Sequence, residues 1–491
     1  MLDFISPDPV ALHARLRPEA LACVDLQTGQ RWSYRALDRD IQRAVTVLTA
    51  EGIGRGDRVA ALAKNSVYQI VLQQALMRLG AIFVPLNWRL SLPELARLLA
   101  DCTPALLYAD QEAPPGCRTL PFAGFAAALV AAQPADRPPP HSGHDTCIIL
   151  YTSGTSGVPK GALLTSQFLL ATAVNFNVLG EVDTGCVFLC DSPMFHVIGI
   201  VTQIWPPLLR GGTFIVTPGF DAEKTNGWLG SDFGVTHYFC VPQMADALRH
   251  APNFAPERWI RLKALFTGGA PNPPANIRWW LDRGVRMVDG YGMTETGTTL
   301  GMPLAPEILR EKAGAVGLCG PLTAVRLVDE EDRDVPDGTP GEILIFGLNV
   351  TPGYWNRPEE RARAFTADGW IRTGDVGRRD ADGFIAIVDR RKDMFISGGE
   401  NVYPVEVETA LREHPQVREA AVIGIPDDRW GEVGRAYVIP MPGEAPTPEA
   451  LMRHCAGLIA RYKVPKEVLI VADLPRTGSG KVMKHILREQ R

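Results

Sequence analysis

The sequence predicts an α/β fold with largely parallel sheets, followed by a small α+β unit. Three observations carry this. Short apolar runs alternate with helix-like segments through about the first 300 residues. Beyond Gly320 the texture turns to β, with Ala324 to Val328, a turn at Pro336-Asp337-Gly338, and Glu342 to Phe346. After Asp393 it changes again, to mixed helices and strands. At 491 residues the chain exceeds one ordinary core, so two or more domains or subdomains are expected.

Taken in order, Asp57 to Ala63 reads as a strand, Tyr68 to Leu79 as a helix and Ala81 to Leu86 as a strand. Ser91-Leu92-Pro93-Glu94 is a capping-box start for a helix running to Ala100, and Ala105 to Tyr108 is a short strand. From Ala113 to Ser142 the chain is rich in Ala and Pro and predicts an irregular surface connection. A helix-like run spans Thr165 to Leu179. A second α/β series follows, with strands at Val187 to Cys190, Thr213 to Val216, His237 to Val241, Ala264 to Phe266 and Arg286 to Val288. The last unit predicts helices over Pro404 to His414 and Glu449 to Tyr462, with strands at Ala420 to Gly424 and Ala436 to Ile439. The boundary falls at Arg390-Arg391-Lys392-Asp393, dividing the chain into 1–392 and 393–491.

Composition narrows the class. Hydrophobic residues make up 46% and charged residues 21%, as in a soluble globular enzyme. A net charge of -5 gives no basic footprint for nucleic acid. The nine cysteines are scattered without a CxxC pair, which fits reduced thiols in a cytoplasm better than a disulfide framework. The N-terminus lacks a basic region followed by an apolar run, so no signal peptide is read, and no apolar stretch is long enough to span a bilayer.

The chemistry centres on one stretch. Ile148-Ile149-Leu150-Tyr151 reads as the end of a buried strand, and Thr152-Ser153-Gly154-Thr155-Ser156-Gly157-Val158-Pro159-Lys160-Gly161 follows directly. Its glycines let successive backbone N–H groups point into one concavity, which suits an anion. Hydroxyls at Thr152, Ser153, Thr155 and Ser156 add donors, and Lys160 adds a positive charge. A triphosphate is the natural guest. A polar surface turn has a similar composition, but seldom needs so many hydroxyls, glycines and a lysine behind a buried strand. The stretch is not a Walker loop, because Pro159 stands where that pattern requires Gly and Gly161 follows Lys160.

The stretch closely resembles the phosphate loop of the adenylate-forming superfamily, which includes acyl-CoA synthetases, firefly luciferase and adenylation domains of nonribosomal peptide synthetases. Ser156 stands where the usual loop has Thr, which keeps the hydroxyl. Further motifs follow in the family's order. Thr267-Gly268-Gly269-Ala270-Pro271 comes after a strand, where small residues admit a planar ligand; the resemblance places this segment against adenine. In Asp289-Gly290-Tyr291-Gly292-Met293-Thr294-Glu295-Thr296, Tyr291 can offer its ring face to a base, and Glu295 an oxygen to Mg²⁺. Asp375, in Thr373-Gly374-Asp375, can accept hydrogen bonds from both ribose hydroxyls, with Arg390 assisting by resemblance. Asp380-Ala381-Asp382-Gly383 lacks the later bidentate acid of a calcium loop and reads as a turn.

The same resemblance implies the remaining roles. Lys392 is the interdomain hinge, Gly398 and Gly399 line the tunnel for the pantetheine arm of coenzyme A, and Lys481 reaches the adenylation site. An ammonium beside the α-phosphate stabilises charge that builds up in the transition state. His196 lies between acid pocket and thiol tunnel by resemblance; otherwise a His among apolar residues is a satisfied core group. The absence of an acid from Met194 to Gly199 argues against an amino-acid substrate. The pocket is expected from His196, Val197, Ile200, Phe239, Val241, Gly268, Thr298 and Thr299.

Together these imply a large N-terminal domain of stacked α/β sheets with a β subdomain, and a small mobile α+β C-terminal domain. The implied activity is ATP- and Mg²⁺-dependent ligation of a fatty or aromatic monocarboxylic acid to coenzyme A, through an acyl-adenylate. Transfer of the acyl group to a carrier protein, a luciferase-like oxidation, and nucleotide binding without turnover stay open as alternatives. The oligomeric state is also open, a homodimer included.

Overall fold

The computed structural model describes residues 5–135, 141–152, 159–270, 272–390, 393–397, 400–427, 430–459, 461–476 and 482–489. Two sheets organise the first part of the chain. In spatial order the larger runs Leu318–Cys319, Gly297–Gly301, Met287–Met293, Ala264–Thr267, His237–Cys240, Val187–Cys190, Thr213–Val216, Leu21–Asp25 and Arg31–Ser33. Its centre, from Met287–Met293 to Leu21–Asp25, is parallel throughout. The second runs Thr119–Pro121, Leu106–Ala109, Arg58–Leu62, Ile82–Pro85, Thr146–Thr152 and Lys160–Thr165, and is parallel except for its last pair.

Why these strands carry near-continuous apolar runs follows from their two covered faces. Successive side chains point to opposite sides of a strand. Cys23, Phe188, Phe214, Val59, Phe83 and Ile148 all enter one large core, which the helices Tyr34–Ala50, Val67–Leu79 and Ser166–Leu179 share. Their neighbours Val24, Leu189 and Ile215 pack on the outer face of the larger sheet, with Trp259 and Trp280. Ala60, Val84 and Ile149 do the same on the smaller sheet, against Leu95, Leu98 and Leu99. The helix Leu92–Cys102 begins with the expected capping box, Ser91 and Glu94 each accepting from the other's side of the turn.

A four-stranded antiparallel sheet follows, Thr323–Val328, Gly341–Gly347, Ile371–Arg379 and Ile385–Arg390. The last unit builds its sheet around Gly431–Pro440, antiparallel to Val417–Asp427 and parallel to Glu467–Ile470, under the helices Pro404–Arg412 and Pro448–Leu458. Among the described residues, no helix is long and apolar enough to cross a membrane.

Two expectations need correction. The Ala- and Pro-rich stretch is not wholly irregular: it holds the strand Thr119–Pro121 and the helix Phe122–Ala131. Alanines favour that helix, and Phe122 and Phe125 pack their rings on Tyr108 at 6.3 and 5.1 Å. The helix expected to reach Tyr462 stops at Leu458. The residues between the phosphate loop and the helix Ser166–Leu179, which the sequence leaves unassigned, form the strand Lys160–Thr165, which pairs back on Thr146–Thr152. The turn at Asp380 to Gly383 is a turn, and Lys312 bonds both Asp380 and Asp382.

Candidate active site

Several of the predicted site residues that the structure describes lie where parallel strands end at their carboxyl edge, the usual place for a ligand in an α/β sheet. Val187–Cys190 runs out into the His196 loop, His237–Cys240 into Val241, and Ala264–Thr267 into Gly268, Gly269 and Ala270. Met287–Met293 carries Asp289, Gly290, Tyr291, Gly292 and Met293, then turns through Thr294 and Glu295 to pair with Gly297–Gly301. That hairpin is tight: a Cβ on Gly292 would lie 1.9 Å from the Gly297 carbonyl oxygen, so only glycine fits.

Two acids, Asp289 on this edge and Asp375 on the antiparallel sheet, are held differently. Asp289 is buried and accepts a 2.9 Å hydrogen bond from Thr267 Oγ1, which itself accepts from Asn272. Burial pushes the Asp289 carboxyl up to about 7. Asp375, also buried, accepts a 2.6 Å hydrogen bond from the Tyr291 hydroxyl. It sits opposite Arg390 in the ladder between Ile371–Arg379 and Ile385–Arg390.

A second group surrounds the phosphate-loop stem. Lys160 Nζ is bonded to Glu360 Oε2 and stands 5.7 Å from the centre of the Tyr354 ring. The Tyr354 hydroxyl donates to Glu295 Oε1 at 3.0 Å, and the Thr351 N–H donates to the Glu295 carbonyl at 2.8 Å. The Trp355 N–H bonds the Gly161 carbonyl at 2.8 Å, so one segment spans loop stem and Glu295. On the strand side, Thr152 Oγ1 meets the Lys160 carbonyl at 3.4 Å, and Tyr151 bonds Asp101, which also holds Arg357. Neither Tyr354 nor Glu360 carries a motif signal in the sequence. Gly353-Tyr354-Trp355 followed by Pro358 and two acids looks like an ordinary turn and helix start.

His196 occupies a third place. Its Nε2 is buried with no hydrogen-bond partner among the described residues. Burial, and then the nearby Arg89 charge, push its pKa down to about 4, so the ring is neutral at pH 7. The turn after it is a π-helix, Ile198–Thr202, in which a Cβ on Gly199 would lie 2.3 Å from the Pro193 carbonyl oxygen. A Cβ on Gly269 would meet Ile198 and Val241 at 3.7 and 3.9 Å, and one on Gly268 would meet Phe239 at 3.2 Å. Ile198, Val241 and Phe239 thus stand around Gly268 and Gly269. Val197 and Thr298 are half-buried, whereas Ile200 and Thr299 are fully buried, Thr299 donating to the Thr296 hydroxyl. Under the His196 loop lies Asp191, fully buried, whose Oδ2 accepts from Tyr238 and Thr225 at 2.9 Å each.

Ser153, Gly154, Thr155, Ser156, Gly157, Pro271, Lys392, Gly398, Gly399 and Lys481 lie outside the described residues, as does the Arg390 side chain. Among those described, no cluster of three or more His, Cys, Asp or Glu could hold a metal ion by itself.

Residues 10–355 match the family of AMP-binding enzymes, and residues 406–481 match the AMP-binding enzyme C-terminal domain. The chain is 39% identical over 486 residues to a feruloyl-CoA synthase of Amycolatopsis sp., covering 97% of each. It is 37% identical to a long-chain-fatty-acid–CoA ligase of Mycobacterium tuberculosis, covering 97% of this chain and 96% of that one. Among solved structures, o-succinylbenzoate coenzyme A synthetase from Bacillus subtilis, in complex with ATP and magnesium, superimposes with a TM-score of 0.88 at 28% identity, covering 99% of this chain and 100% of that one.

Proposed function

The chain belongs to the AMP-binding enzyme family and is an AMP-forming acyl-CoA synthetase, and on that premise we propose which residues carry its two half-reactions and which acids it takes. A carboxylate attacks the α-phosphorus of ATP to give an acyl-adenylate and pyrophosphate; the thiol of coenzyme A then displaces AMP. The enzyme's part is to align two anionic reactants and to hold the charge that builds up between them.

In the proposed assignment Tyr291 faces adenine and Asp375 holds the ribose. Lys160, Thr152 and residues 153–157 receive the triphosphate, and Lys481 serves the adenylation step. A single carboxylate, Glu295, suits Mg²⁺, which usually keeps several waters and binds through one or two carboxylates plus substrate phosphates. The ion would neutralise charge on the phosphates. The solved relative in complex with ATP and magnesium supports this choice. Gly398 and Gly399 flank the thiol arm, Lys392 is the hinge, and the boundary at 392/393 falls between the two matched stretches. All nine cysteines are free, which supports a reducing cytoplasm.

For the acid, the carrying observation is the pocket wall. Ile198, Val241 and Phe239 stand around the Gly268–Gly269 backbone, and His196, two residues before Ile198, is uncharged at pH 7. Such a wall suits an apolar tail, because a carboxylate buried against apolar side chains is costly. A fatty or aryl monocarboxylic acid fits, in line with the relatives that act on feruloyl and long-chain fatty acyl groups. The test is a panel of fatty, aryl and dicarboxylic acids scored for ATP- and CoA-dependent AMP release. Preference for a dicarboxylic acid overturns the pocket reading; adenylation without a free CoA thioester points to a carrier protein.

A further inference from the structure

The partner of Lys160 is a residue that neither the motifs nor the proposed chemistry uses. Lys160 Nζ bonds Glu360 Oε2, with side chains 17% and 23% exposed. Glu360 divides its two oxygens. Oε2 takes Lys160, while Oε1 faces Arg363 at 3.5 Å, and the Arg363 side chain is 77% exposed. The hydrogen bond from Lys160 holds the Glu360 carboxyl below the usual range, so it is charged wherever the enzyme works.

This arrangement conflicts with an occupied phosphate loop. A triphosphate drawn to Lys160 would bring several negative oxygens against the Glu360 carboxylate. Like charges at that separation repel, and the ammonium cannot satisfy both at full strength. Glu360 can yield at small cost, because Arg363 and Arg357 stay beside it in water. Lys160 is the more enclosed partner and gains more from a replacement anion. It also stands 5.7 Å from the centre of the Tyr354 ring, whose hydroxyl bonds Glu295.

We propose that Glu360 is the resident counter-ion of Lys160, displaced when the triphosphate binds, and that it thereby sets nucleotide affinity without entering the chemistry. It is a positioning residue. The proposal rests on the reading of Lys160 as a phosphate ligand. Between nucleotides, Glu360 keeps the ammonium oriented and compensated. During binding, it is a competitor that the triphosphate must replace.

The test is calorimetric titration of the full-length protein with ATP·Mg²⁺, pyrophosphate and adenosine, in the absence of acid and coenzyme A. Glu360→Gln and Glu360→Ala should bind ATP and pyrophosphate about two- to five-fold more tightly than wild type, the range an exposed ion pair is worth. Adenosine affinity should not change, because it carries no phosphate. The gain should shrink with added KCl and vanish when Glu360→Gln is placed on Lys160→Met. Unchanged or weaker ATP binding by both Glu360 variants overturns the proposal while leaving the phosphate-loop reading intact. ATP binding by Lys160→Met as tight as wild type overturns both.

Discussion

The Tyr291 hydroxyl donates a 2.6 Å hydrogen bond to Oδ2 of Asp375, across 84 residues of sequence. It ties the glycine-flanked hairpin of the large sheet to a strand of the antiparallel sheet. The residue proposed to face the base thus orients the residue proposed to hold the ribose. Asp375→Ala should weaken ATP binding strongly, through charge-assisted hydrogen bonds worth about 1.5–3 kcal/mol each. Tyr291→Phe keeps the ring and loses the orienting bond, along with the weaker hydroxyl contact to Met293 Sδ at 3.7 Å, together about 0.5–1.5 kcal/mol. Calorimetry on both and on the double variant should give a non-additive pair. Additive losses would mean that the two groups meet nucleotide independently.

Tyr354 plays a comparable part toward Glu295. Its hydroxyl fixes one carboxylate oxygen at 3.0 Å and so sets the direction in which the carboxylate points. Tyr354→Phe should raise the Mg²⁺ concentration needed for half-maximal AMP release while saturated turnover falls less. Glu295→Gln should do both more severely, since a neutral amide is a poorer ligand for a hard cation. A wild-type Mg²⁺ titration for Tyr354→Phe would remove it from this role.

Burial raises the Asp191 carboxyl from 3.8 to about 7. The folded chain therefore keeps a proton there that the unfolded chain releases. The stability this group brings is full below about pH 4 and is lost as pH rises through about 7. Asp191→Asn removes that loss, so its melting temperature should gain on wild type between about pH 4 and 7 and level off above. His196 and His237, both pushed down to about 4, act in the opposite sense, losing stability as pH falls. A melting-temperature gap that stays flat with pH would show that Asp191 titrates like an exposed carboxyl.

Lys481 should serve one half-reaction. Lys481→Ala is expected to abolish pyrophosphate exchange while leaving thioester formation from supplied acyl-AMP nearly intact. Lys392→Pro, which fixes φ at the hinge, should impair the second half or both. Equal slowing of both half-reactions by Lys481→Ala would contradict a rotating small domain.

Much of this was legible because the physics is local. Parallel strands buried on both faces write themselves as apolar runs, and a glycine-rich turn after such a strand announces an anion. The helix Phe122–Ala131 was hidden by its neighbours: prolines and alanines read as connection, and only the buried ring of Tyr108 gives Phe122 and Phe125 a reason to order. The strand Lys160–Thr165 was concealed for the opposite reason, since its first residues belong to the phosphate-loop motif. Tyr354 and Glu360 could not be found at all from spacing. Their roles exist only through partners about 60 and 200 residues away, Glu295 and Lys160.

The order of strands in the large sheet also bears on synthesis. Leu21–Asp25 forms a hairpin with Arg31–Ser33, but its other edge pairs with Thr213–Val216, Cys23 lying opposite Phe214. The Tyr34 hydroxyl likewise waits for the Gly212 carbonyl. At ribosomal rates of about 5–20 residues per second, roughly 10–40 s separate the emergence of these partners. Meanwhile the strands of the smaller sheet, all from Arg58 to Thr165, emerge and can close first. The nascent chain therefore carries an open apolar edge at its beginning for most of that interval, the condition under which a chaperone or a wrong neighbour finds a strand to cover.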